Sequence, residues 1–210
     1  MFTGLLIAML IIAGAATVVG GGMMLASQRR KLPDAGSAPR RLGPASGSER
    51  SLRELRVGDI IQYDNRDFLV EGVIVFDEDG HRWNAARMID GRDERWLIAG
   101  MERTGTGKTR VVQHIPDLEL SGYPPETLVV GGFRYVLDKR GTATAKVYGD
   151  AGEVGGQSAG SPADLVRRCR WWRYESAGDE CLIVEQWGEL YRAMAGRVSG
   201  PGDLEMIPGS

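Results

Sequence analysis

Residues 5–25 form a run of 21 positions drawn almost entirely from Leu, Ile, Val, Ala, Met and Gly, and no charged side chain precedes Arg29. As a helix rising about 1.5 Å per residue, the run spans roughly 30 Å, the thickness of a bilayer hydrocarbon core. The pattern predicts one transmembrane helix within residues 1–28. A buried globular helix rarely runs this long without a polar face. A cleaved signal peptide needs basic residues ahead of its apolar stretch. Met1-Phe2-Thr3-Gly4 supplies none, although Ala26-Ser27 resembles a cleavage site. A retained anchor is the favoured reading.

Apolar periodicity disappears over residues 29–50, where Pro, Gly and Ser dominate. Such a stretch buries too little surface to offset its chain entropy and reads as a linker. From residue 51 the apolar runs are short, rich in Val, Ile and aromatics, and bounded by Gly, Asp and Asn, the signature of strands and turns. Strands are predicted at 66–76, 81–89, 95–101, 128–130, 133–138, 143–148, 169–174, 180–187 and 190–198. Within 95–101, Trp96, Ile98 and Gly100 share one face, with Leu97, Ala99 and Met101 on the other, so this strand is expected to be covered on both sides. Helix is confined to one turn at 51–55 and a short segment opened by Ser161-Pro162-Ala163-Asp164. Residues 149–160 read as a Gly-rich loop and 200–210 as a flexible tail.

Charge sharpens this division. The formal net charge of −2 sums three unlike parts: no charge in 1–28, +4 in 29–50 and −6 in 51–210. Near-neutrality argues against a nucleic-acid partner. Arg29, Arg30 and Lys31 follow the apolar run directly. The positive-inside rule therefore puts the C-terminal domain in the cytoplasm, on a single-pass cell-membrane protein. The same three residues can touch anionic lipid headgroups. Gly4/Ala8 and Ala16/Gly20 have the spacing of small-residue helix contacts, so self-association through the helix is a further expectation.

The domain also echoes itself. Phe68-Leu69-Val70-Glu71-Gly72, Trp83 and Trp96-Leu97-Ile98 are followed by Phe133-Arg134-Tyr135-Val136-Leu137, Trp171-Trp172 and Cys181-Leu182-Ile183-Val184. The expected fold is mainly β: two related antiparallel units, 51–115 and 127–199, packed as a sandwich or split barrel after one transmembrane helix.

These motifs carry a resemblance. Val57-Gly58-Asp59, Phe68-Leu69-Val70-Glu71-Gly72, Trp83 and Trp96-Leu97 resemble the first half of the DUF4178 family. Gly132-Phe133-Arg134-Tyr135, Gly149, the stretch 169–174 and Leu182-Ile183-Val184-Glu185 resemble its second half. The similarity runs over about residues 51–198. The chain departs from the family at Trp83-Asn84-Ala85-Ala86, where Trp-x-Glu-Tyr is usual, and at Gly100, which takes the place of a Glu. The resemblance implies an uncharacterised bacterial β domain, often encoded near membrane-stress or polyamine-related genes. It supplies no catalytic residues.

Candidate chemistry is sparse. Thr104-Gly105-Thr106-Gly107-Lys108-Thr109 looks like a phosphate loop, but Glu102 stands where the first P-loop Gly belongs, and the β-branched run that follows offers no helix N-terminus. His81, His114, Cys169 and Cys181 lack the paired spacings of a zinc site. No cofactor, no metal and no enzymatic activity are expected. Five Trp invite two readings, a core between sheets or an aromatic groove. Trp171 and Trp172 must point to opposite faces, and Arg167, Arg168, Arg170 and Arg173 surround them. Glu185, in an apolar strand, either pairs with an Arg or marks a site. Trp83, Trp96, Trp171, Trp172 and Glu185 are therefore the candidate ligand- or partner-binding residues. The functional expectation is a non-enzymatic protein-interaction module at the cytoplasmic membrane face, touching the bilayer and a protein partner. The alternative is a small-molecule or lipid-headgroup sensor with a Trp-lined pocket.

Overall fold

A computed structural model describes residues 51–104, 107–116, 118, 120, 122–155, 166–200 and 202–209. The expected membrane helix, the linker with Arg29, Arg30 and Lys31, and the short helix at 161–164 lie outside these residues. Among the described residues no helix is long and apolar enough to cross a membrane.

The strands are β1 (Ile60–Tyr63), β2 (Arg66–Glu78), β3 (His81–Asp90), β4 (Asp93–Ala99), β5 (Thr109–His114), β6 (Thr127–Val130), β7 (Phe133–Gly149), β8 (Val166–Glu175), β9 (Glu180–Trp187), β10 (Leu190–Ser199) and β11 (Leu204–Ile207). All eleven join one antiparallel sheet in the order β11-β1-β2-β3-β4-β5-β10-β9-β8-β7-β6. Two five-strand meanders, β1 to β5 and β6 to β10, meet where β5 pairs with β10. They meet again where β2 pairs with β7, Gly72 opposite Gly149 through Asp77 opposite Thr144. Eight strands thus close on themselves, so the two units do not stack face to face as a sandwich. They join edge to edge, and glycines at both seams permit the close approach. A Cβ on Gly72 would lie 2.0 Å from the Asp150 carbonyl oxygen, and one on Gly196 2.1 Å from that of Val111.

The meanders repeat each other closely. Each opens on a two-residue turn in the left-handed region, Asp64-Asn65 in one and Gly131-Gly132 in the other. Each second strand carries a bulge, between Val70 and Gly72 in β2 and between Leu137 and Lys139 in β7. The bulge lets each long strand bend and change partners, β2 from β1 to β7 and β7 from β6 to β2. That is why 133–149 is one strand of 17 residues rather than the two expected. Its middle, Lys139-Arg140-Gly141-Thr142, has turn-like composition without being a turn.

Alternation sorts the side chains into three cores. The interior takes residues from all eight closed strands, among them Ile74, Phe76, Trp83, Trp96, Ile98, Val112, Cys169, Trp171, Ile183 and Met194. Outside the first meander, Ile61, Phe68, Val70, Met88, Leu97 and Val111 form a second core with Leu55. Outside the second meander, Leu128, Tyr135, Trp172, Tyr174, Leu182 and Val184 form a third. β4 is covered on both sides as expected, with Trp96 inward and Leu97 outward. Met101, however, joins Trp96 inside: the strand ends at Ala99 and Gly100 turns at φ +84°.

The 51–55 turn is a 3-10 turn at Leu52–Glu54, where the Arg53 amide donates to Ser51 Oγ. The segment 200–210 is not simply a tail. β11 pairs with β1, Ile207 opposite Ile60, and the Gly209 amide donates to Asp59 Oδ1 at 2.9 Å. β1 and β11 are too short for alternation to mark them, and β5 offers only the adjacent apolar pair Val111-Val112.

Candidate functional site

The five Trp do not line one groove. Trp83 stacks on Phe76 at 5.1 Å and meets Trp171 edge-on at 5.7 Å, while Trp187 lies 5.8 Å from Phe76. These three fill the interior. Trp172 points outward and meets Tyr123 edge-on at 5.4 Å. The opposed orientation of Trp171 and Trp172 follows from strand alternation.

Trp96 differs, because it borders an opening. Its Nε1 donates to Glu94 Oε1 at 3.1 Å, and the Arg192 guanidinium lies 4.0 Å from its ring centre. Arg192 Nη2 reaches Glu185 Oε2 at 2.5 Å, and the same oxygen accepts from Trp187 Nε1 at 2.9 Å. Glu185 is therefore a buried ion-pair partner, held by the cross-strand register that sets it opposite Arg192. Beside this group lies a cavity of about 190 Å³, lined by Glu94, Trp96, His114, Glu153, Arg192 and the backbone turn 151–154. At its rim Arg87 bonds Glu71, Glu94 and Asp150, each at 2.9 Å.

A second polar cluster closes a different part of the interior. Glu102 Oε1 lies 2.5 Å from Arg110 Nη2 and 3.2 Å from Arg173 Nη1, and Arg173 also holds Asp138. Burial pushes the Glu102 carboxyl up, but the Arg110 hydrogen bond and the Arg110 and Arg173 charges outweigh it and hold it below its ordinary 4.5. The two clusters are built on equivalent positions. The bulge residues Glu71 and Asp138 each meet an arginine of the next strand, Arg87 and Arg173. Arg110 and Arg192 each stand two residues before an interior apolar side chain, Val112 and Met194. Arg87, Glu102, Arg110, Asp138 and Arg192 escape sequence reasoning. Arg192 alone had a usable signal, since a turn at Gly188-Glu189 sets it across from Glu185.

Neither cysteine is placed to act as a nucleophile. Cys169 and Cys181 are buried free thiols. Burial pushes Cys169 well up and Cys181 to about 12, so both stay protonated. Among the described residues no group of three His, Cys, Asp or Glu could hold a metal ion. Thr109 starts β5, so a strand rather than a helix follows the phosphate-loop lookalike.

Two strands, β11 and β6, end the sheet. β1 is covered by β11, whereas β6 pairs with β7 alone among the described residues. Val130 and Phe133 close the β6–β7 turn, so ladder alternation aims the amide and carbonyl groups of Thr127 and Val129 away from β7. These positions correspond to Ile60 and Gln62, which face β11. The Val129 side chain is 69% exposed, the most exposed large apolar one described.

No curated protein and no solved structure matches the chain. A family model described as "Domain of unknown function (DUF4178)" matches residues 56–201. That span begins just before β1 and ends just after β10, enclosing both meanders, and the chain belongs to the DUF4178 family.

Proposed function

We propose that the chain is a membrane-tethered, non-enzymatic module that binds an extended segment of a protein partner along the open edge of β6. The observation that carries this reading is the pairing of β11 with β1. There the fold meets an equivalent edge with an added antiparallel strand, and among the described residues β6 presents the same ladder positions uncovered. Strand addition supplies main-chain hydrogen bonds, with side-chain alternation giving selectivity. The occupant is a strand carrying apolar side chains on the Val129 face. The tether is the charge-free run in residues 1–28, and the basic residues behind it favour a cytoplasmic domain. The likeness of the two meanders in turn, bulge and buried arginine supports reading them as related units.

Proline separates binding from folding. Val129→Pro removes an amide that points away from β7 and makes no sheet bond among the described residues, and edge strands accept Pro at such positions. Crosslinking the full chain in its native membrane, from a photoreactive side chain at Thr127, should yield a polypeptide adduct that Val129→Pro abolishes without a change in melting temperature. An adduct that survives Val129→Pro overturns strand addition.

The second reading, a small-molecule sensor, is favoured by the cavity beside Trp96. At about 190 Å³ it is smaller than the roughly 300–1,000 Å³ of drug-sized sites, so its ligand would be small and polar. A metabolite that raises the melting temperature of the wild type but not of Trp96→Phe would favour this reading.

A further inference from the structure

The outer face of β7 and β8 carries a patch opposite in sign to the domain as a whole. Thr142 pairs with Arg170, Thr144 with Arg168, Arg140 with Trp172 and Lys146 with Val166. Residues two apart share a face, and their neighbours Ala143, Ala145, Cys169 and Trp171 point inward. Arg140, Lys146, Arg168 and Arg170 are thus exposed on one surface. None of the four forms an ion pair among the described residues. Arg140 lies 5.3 Å from the Tyr123 ring. Exposed Tyr123, Tyr148 and Val166 stand among the cations. A groove of about 310 Å³ is lined by Arg168, Arg170, Gln186, Gly188 and Glu189.

The first meander provides an internal control. Counting from the two bulges, Thr144 and Arg168 correspond to Asp77 and Arg82. Asp77 and Arg82 are also opposite each other, but they form an ion pair at 2.8 Å. Replacing the acid by Thr144 leaves Arg168 without a partner. A solvated, structural arginine needs no such change.

We propose that this face docks on an anionic phospholipid surface, which rests on the membrane tether of the reading above. Four cations without an ion pair among the described residues complement anionic headgroups, and exposed Tyr and Val suit the interfacial zone. A tethered domain is already within reach of the bilayer.

The test reconstitutes the full chain carrying Thr144→Cys, labelled with an environment-sensitive fluorophore; the two native thiols are buried. Vesicles are phosphatidylcholine alone or mixed with phosphatidylglycerol. Docking is expected to remove iodide quenching in the anionic vesicles only, reversibly with salt. Each Arg→Gln at Arg168 and Arg170 should weaken docking roughly fivefold, from about 1 kcal/mol per charge. Equal quenching in both vesicles, or shielding unchanged in R168Q/R170Q, overturns the proposal. Stronger shielding by a DNA duplex in detergent overturns it in favour of nucleic acid. If the wild type washes off neutral vesicles in high salt, the tether fails separately. Salt-sensitive flotation with anionic vesicles then still supports the patch, and its absence overturns it.

Discussion

Glu185 and Arg192 face each other inside the closed sheet, and neither can be removed alone without leaving the other charge buried. Glu185→Leu should cost about 3–5 kcal/mol, and Glu185→Leu with Arg192→Met should recover most of that loss. Urea unfolding of the full chain reads both; additive losses would contradict the pairing. Glu102 adds a pH dependence. Its folded-state pKa lies below the ordinary 4.5, so the unfolded chain binds the proton more readily. The stabilisation is full above about 4.5 and drains as pH falls toward the folded value. Unfolding midpoints measured across acidic pH should fall more steeply for wild type than for Glu102→Gln. Legibility at this scale follows sequence distance. Glu185 and Arg192 are seven residues apart across one turn, so counting can pair them. Glu102 and Arg173 are 71 apart and meet only because the sheet closes.

Among the elements, the seams decide the architecture. A methyl group at Gly196 would press on the Val111 carbonyl across the β5–β10 junction. Gly196→Ala should therefore destabilise the chain by about 1–3 kcal/mol, read as a lowered urea midpoint; an unchanged midpoint would mean that the seam yields easily. Six strands, β2, β3, β4, β8, β9 and β10, were legible because each runs seven residues or more with an apolar pattern. β1, β6 and β11 span four residues each. β6 was still legible from Leu128-Val129-Val130 before the Gly-Gly turn. β11 was not, because its four residues follow the Gly-Pro-Gly-Asp stretch 200–203 and carry Glu205 among the apolar ones.

At the scale of the whole molecule, the echo between the halves was visible as motifs, but the way they join was not. Short motifs report strands, and the choice between stacking two sheets and closing one depends on contacts such as Gly72 with Asp150. The functional candidates fared similarly. Trp83 and Trp171 lie in the interior core, Trp172 lies in the outer core of the second meander, and Trp96 borders a cavity whose walls come from four separate stretches of chain. The open edge of β6 has no sequence signature, since an edge is defined by which strand fails to arrive. Strand addition there is the central claim, and amide hydrogen exchange tests it most directly. In the full chain, the Thr127 and Val129 amides should exchange slowly in the native membrane and rapidly after purification into detergent, while Gln62, covered by β11, should be slow in both. Equal exchange of Thr127 and Val129 in the two states would contradict the account.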